Sequence, residues 1–125
     1  MASAIECAQR GHNVTLYEKS SSLGGQFNLA QRVPGKEEFK ETLRFFKTMI
    51  GKLNINLLLE TKATMELLRR NSFDHIIVAS GVTPRLPQIP GINHPKCISY
   101  TDLILGKKVA GEKIAIIGAG GIGFD

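Results

Sequence analysis

An α/β fold is what this sequence predicts, and three stretches carry the expectation. Val14, Leu16 and Tyr17 make a short β-prone run that ends in an acid, Glu18. Residues 73–79 enclose HIIVA, a continuous apolar run of the kind found in strands buried on both faces. Near the end, KIAIIGAGGIGFD sets a β-branched run directly ahead of Gly118, Gly120 and Gly123, spaced G-x-G-x-x-G. Acid-ended strand and glycine turn are the parts of dinucleotide-binding βαβ units, so the fold expected is Rossmann-like and suited to a dinucleotide.

At 125 residues the chain suits one modest domain or two partial ones. A content of 42% hydrophobic and 22% charged residues is that of an ordinary globular protein. No run approaches the roughly 18 apolar residues of a membrane helix, and residues 1–10 lack the layout of a signal peptide. No membrane partner and a cytoplasmic location are therefore expected. The net charge of +5 comes from scattered Lys and Arg, with Arg69–Arg70 and Lys107–Lys108 the adjacent pairs. Nucleic-acid surfaces cluster such residues and interleave aromatics, so no nucleic-acid partner is expected, only a mild preference for phosphate-bearing ligands. Cys7 and Cys97 have no CxxC or metal spacing, and His12, His75 and His94 are dispersed. Reduced thiols and no metal site follow from that spacing.

Taken in order, residues 1–10 are helix formers with Ala4, Ile5 and Ala8 at helical spacing. Gly11 suits the C-cap, and His12–Asn13 turns the chain into the acid-ended strand. A carboxylate at such a strand end accepts hydrogen bonds from the adenosine ribose, with a glycine turn about 20 residues earlier for the pyrophosphate. That spacing counts back past Met1. The glycine turn and first strand are thus expected ahead of this sequence, which would open inside the first helix.

Gly24-Gly25-Gln26 follows three serines and is read either as close backbone approach to a ligand or as a plain loop. After Pro34-Gly35, residues 36–52 predict an amphipathic helix with Phe39, Leu43, Phe46 and Ile50 on its inner face. These aromatics suit a core better than a flavin-stacking surface. Residues 54–60 predict a strand covered on both faces, and Thr64 caps a short helix to Arg70. The HIIVA strand ends in Ala79, Ser80 and Gly81, small residues that let another group press against a sheet edge. Four prolines make 82–96 an extended connector between two binding units. Residues 97–100 suit a short strand and 101–105 a helical turn ended by Gly106. In the last stretch Ile114, Ile116 and Ile117 form the expected buried strand. Its first glycine permits the turn, the second clears room for pyrophosphate, and the third lets helix and strand pack. The division expected is 1–95, a partial dinucleotide-binding domain, and 96–125, the start of a second one.

With these residues in place, the chain resembles the pyridine-nucleotide-binding portion of bacterial NADPH-dependent 2,4-dienoyl-CoA reductases, in the wider old-yellow-enzyme and trimethylamine-dehydrogenase-like group. The runs that carry the resemblance are RGHNVTLYEK, LGGQFNLA, VPGKEEFKETLRFFK, HIIVASGVTPRLPQIPGINHPK, SYTDLI and KIAIIGAGGIGFD. It implies a parent enzyme of three parts: an FMN-bearing barrel, an iron–sulfur cluster and an FAD/NADPH region. Hydride would pass from NADPH to FAD, and electrons would travel through the cluster to FMN, which reduces the dienoyl thioester in unsaturated fatty acid breakdown.

Carried over by position, the resemblance gives Glu18 the FAD adenosine ribose and lays Gly25 and Gln26 along the flavin nucleotide. Ala63 would meet adenine through its backbone, and Ala79, Ser80 and Gly81 would line FAD as it leaves its domain. Gly118, Gly120 and Gly123 would cradle the NADPH pyrophosphate. Ser80 replaces a threonine usual in relatives and keeps the hydroxyl. The barrel, its catalytic acid and the cluster cysteines have no counterpart in these residues, so no catalytic residue is assigned and the segment alone is expected to be inactive. Two other readings use the same parts. A disulfide reductase of the same architecture would need a redox-active cysteine pair, which Cys7 and Cys97 do not supply. A non-catalytic nucleotide-binding module would keep the fold without the chemistry.

Overall fold

The computed structural model describes residues 1–118, 120 and 121. The expected α/β order holds. In chain order the elements are α1 (Ala2–Gln9), β1 (Thr15–Tyr17), α2 (Phe27–Ala30), α3 (Phe39–Lys52), β2 (Asn56–Leu58), α4 (Met65–Arg70) and α5 (Tyr100–Ile104).

Three of these helices end in the same way. After α1 the Gly11 N–H donates to the Ala8 carbonyl and the His12 N–H to that of Cys7. After α3, Asn54 and Ile55 donate to Gly51 and Ile50, and after α5, Gly106 and Lys107 donate to Leu103 and Asp102. This Schellman pattern needs a left-handed residue just past the helix, and Gly11, Asn54 and Gly106 take it at φ 87°, 51° and 70°. The first two of these turns deliver the chain directly into the two strands.

β1 and β2 pair in parallel, with Thr15 beside Asn56, Leu16 beside Leu57 and Tyr17 beside Leu58. The helix α3 serves as the crossover that a parallel pair requires. Its inner face matches the sequence expectation, with Leu43 and Ile50 buried and Phe39 and Phe46 half-buried. The core gathers Ala4, Ile5, Leu23, Ile50 and Ile55, with Val14, Leu16, Phe46, Met49 and Leu57 against it. It lies where α1 and α3 meet the strand pair. The short helix α2 was not legible as a helix. It forms because the Gly24 and Gly25 carbonyls accept the Phe27 and Asn28 N–H groups, and Phe27 packs edge-on to Phe39 with ring centres 5.1 Å apart. Thr64 caps α4 as expected, its hydroxyl accepting the Leu67 N–H at 3.2 Å.

Three expected strands are absent among the described residues. In the HIIVA run Ile77 is 61% and Val78 83% exposed, and in the final run Ile116 is 72% exposed. Neither run is in a β-ladder. Extended backbone becomes a strand only where a neighbour takes its N–H and C=O groups, and among the described residues β1 and β2 satisfy each other alone. Phe73 does reach the sheet, packing edge-on to Tyr17 at 6.2 Å. Residues 97–100 form no strand because Ser99 instead caps α5, accepting the Asp102 N–H and donating to its carboxylate. The strand expected over 54–60 contracts to Asn56–Leu58, because Asn54 is used by the helix end and Glu60 turns at φ 52°. The connector is extended only at first. From Pro87 onward it closes into successive turns through Ile89, Ile92, His94 and Cys97.

Candidate functional site

Parallel strands in open α/β sheets bind their ligands beyond their carboxyl ends, and Glu18 stands there. Its N–H donates to the Leu58 carbonyl and its own carbonyl accepts the Thr61 N–H, each at 2.9 Å. The backbone under the carboxylate is therefore fixed by both strands. One carboxylate oxygen, Oε1, accepts the Ser20 N–H at 2.8 Å. A carboxylate has about four acceptor sites on two oxygens, so capacity remains for a pair of ribose hydroxyls. The Glu60 N–H donates to the Ser20 carbonyl at 3.0 Å, which stitches the two strand exits together. Ala63 follows two residues after Thr61 and is exposed.

A second group forms around the glycine pair. Gly24 and Gly25 take φ values of 131° and 49°, which side chains disfavour, so the turn depends on glycine. Gln26 follows, and its Nε2 donates to the Val82 carbonyl at 3.4 Å. That contact places Gly25 and Gln26 beside the chain that has just left Ala79, Ser80 and Gly81, and Gly81 itself turns at φ 76°. All five are exposed.

The glycine run at the end stands apart. Gly118 takes φ 110°, and a β-carbon added at Gly118 or Gly120 would meet nothing within 4 Å. Gly123 lies outside the described residues. Among the described residues no hydrogen bond joins Gly118 or Gly120 to either of the other groups.

Sequence reasoning passed over Ser20, Thr61 and Asn28, whose contacts shape the site. The serine run after Glu18 was the available signal for the first, since short polar residues beside an acid favour local turns. Thr61 depends on a contact across the strand crossover, and Asn28 on the shape the glycine turn takes. Both cysteines are free thiols, Cys97 exposed with its Sγ donating to the Gly91 carbonyl at 3.4 Å. No helix among the described residues is long and apolar enough to cross a membrane.

The chain is similar to several reductases. It is 33% identical over 122 residues to a metal reductase of Desulforamulus reducens, covering 94% of this chain and 18% of that protein. It is 32% identical over 130 residues to a cinnamate reductase of Clostridium sporogenes, covering all of this chain and 18% of that protein. The solved structure of a 2-naphthoyl-CoA reductase in complex with 2-naphthoyl-CoA superposes with a TM-score of 0.82 at 37% identity, over 86% of this chain and 16% of that one. The chain therefore spans less than a fifth of the length of each of these three. The family model for pyridine nucleotide-disulphide oxidoreductases matches residues 1–125. The chain belongs to that family, and its α/β fold is the Rossmann-like FAD/NAD(P)-binding fold.

Proposed function

We propose that residues 1–125 are the dinucleotide-binding segment of a larger flavin-dependent reductase, taking hydride from NADPH to FAD for the reduction of 2,4-dienoyl-CoA in unsaturated fatty acid breakdown. The observation that carries the reading is Glu18, an acid fixed by both strands at the carboxyl edge of the parallel pair. Similarity to a reductase solved with an aromatic acyl-CoA supports an unsaturated thioester as substrate.

On this reading Glu18 holds the adenosine ribose and the Ala63 backbone meets adenine. Gly25 and Gln26 run beside the flavin nucleotide, with Ala79, Ser80 and Gly81 opposite, because the Gln26–Val82 contact brings these stretches together. When bound, FAD supplies the two-electron acceptor that the side chains lack. Gly118, Gly120 and Gly123 present backbone without side chains to the NADPH pyrophosphate. An FMN barrel and an iron–sulfur cluster elsewhere in the parent chain would complete the electron path to substrate. Free Cys7, in α1, and free Cys97, outside any helix or strand, do not favour disulfide reduction.

The test uses the full-length protein that carries this segment. Its flavin content is measured, and NADPH oxidation is followed with a 2,4-dienoyl-CoA, 2-naphthoyl-CoA and cinnamate in turn. Turnover of the dienoyl thioester ahead of the other two supports the proposal. Preference for another acceptor would move the substrate, and absence of FAD would end the flavin reading.

A further inference from the structure

Asn28 holds the glycine pair from more than one side. Its Nδ2 donates to the Leu23 carbonyl at 3.2 Å, and its backbone N–H donates to the Gly25 carbonyl at 3.1 Å. The Gln31 side chain donates to its Oδ1 at 3.5 Å, which sets the amide with its donor end toward Leu23. Leu23 is itself buried in the core, so the clamp is anchored to the packed part of the molecule. A β-carbon on Gly24 would lie 2.7 Å from both Nδ2 and Oδ1 of Asn28. The amide therefore fills space that only a glycine at position 24 leaves open.

Two adjacent glycines sample many backbone conformers unless their surroundings select one. A ligand that requires one conformer binds more weakly in proportion to how seldom that conformer is populated. Resting on the flavin reading of Gly25 and Gln26, we propose that Asn28 is a positioning residue for FAD. The role requires no contact between Asn28 and the cofactor. Asn28 fixes the Gly24–Gly25 turn so that Gly25 and Gln26 are already set for the flavin nucleotide and Gln26 for Val82.

The experiment compares Asn28→Ala and Asn28→Asp in the full-length flavoprotein, stripped of FAD and then titrated with it. Asp is isosteric but replaces the donor facing the Leu23 carbonyl with a second acceptor. It keeps the side chain's volume while removing that donor and adding a charge, so the clamp is tested even if the alanine variant folds poorly. Both variants should raise the Kd for FAD about tenfold, the effect of losing a part-buried hydrogen bond. The visible circular dichroism of bound flavin should also change, a signal that a general loss of packing far from the cofactor would leave alone. Wild-type affinity and an unchanged flavin spectrum in Asn28→Asp would overturn the role of Asn28 while leaving the flavin reading standing. A wild-type protein that takes up no FAD would overturn that reading, and this proposal with it.

Discussion

Gln26 and Val82 stand 56 residues apart in the chain, and the side-chain amide of one donates to the carbonyl of the other over 3.4 Å. The contact ties the glycine turn to the exit from the HIIVA run. Its removal in Gln26→Ala should weaken FAD retention in the full-length protein by about 0.5–1.5 kcal/mol, the net value of an ordinary hydrogen bond. Equilibrium dialysis of FAD would read the change. No change would mean that the two stretches bind independently.

Glu18→Gln should cost more. A neutral amide keeps the size but loses the charged acceptor, so FAD retention should fall by about 1.5–3 kcal/mol. The backbone bonds to Leu58 and Thr61 do not involve the side chain, and the melting temperature of the FAD-free protein should hardly move. FMN content, proposed to reside in another domain, should be unchanged. Equal FAD content in variant and parent would remove Glu18 from the site.

The two adjacent glycines should respond differently to alanine. At Gly24 the new methyl meets the Asn28 amide at 2.7 Å, whereas at Gly25 it meets nothing within 4 Å. Gly25→Ala should therefore cost only the left-handed backbone penalty, about 1 kcal/mol, and Gly24→Ala about 2 kcal/mol or more. Denaturant melts of the two variants, compared side by side, decide the order.

Gly120→Val separates ligand from scaffold. A β-carbon there has open space in the protein, so folding should be spared, while the side chain should obstruct the pyrophosphate. The KM for NADPH should rise at least tenfold, with dienoyl reduction from an artificial donor to FMN preserved. Unchanged NADPH kinetics would make the glycine run a packing device.

Residues 1–125 expressed alone should associate and show no reductase activity. Ile76, Ile77 and Val78, with Ile114, Ile116 and Ile117, stand exposed and outside any ladder, and exposed apolar segments of this kind pair with other chains. Sedimentation velocity should show species larger than a monomer, and Ile77→Lys with Ile116→Lys should reduce them. A cooperative melt from a monomer holding one FAD would contradict this.

The sequence was most legible where local chemistry decides structure. Gly11 and Gly106 mark helix ends through bonds that close within one turn, and Thr64 caps through a bond three residues away, whereas Asn54, expected in the strand, is taken by the end of α3. The periodicity of α3 likewise reports its own buried face. Glu18 was legible because its position at a strand end is a local fact, whereas its clasp by Thr61 depends on pairing across a crossover. HIIVA and the final isoleucines misled for the complementary reason. Their composition states a preference for burial, but burial as a strand needs a neighbouring ladder, which a run of apolar residues does not itself contain.

The parallel pairing of β1 with β2 also has a consequence for synthesis. Tyr17 cannot find Leu58 until the whole of α3 and the turn at Asn54 have left the ribosome, and the core draws on both α1 and Ile55. A nascent chain arrested before that point should remain open to protease throughout. One arrested soon after Thr61, with enough further residues to clear the exit tunnel, should protect α1, α3 and both strands together, as a single event during translation.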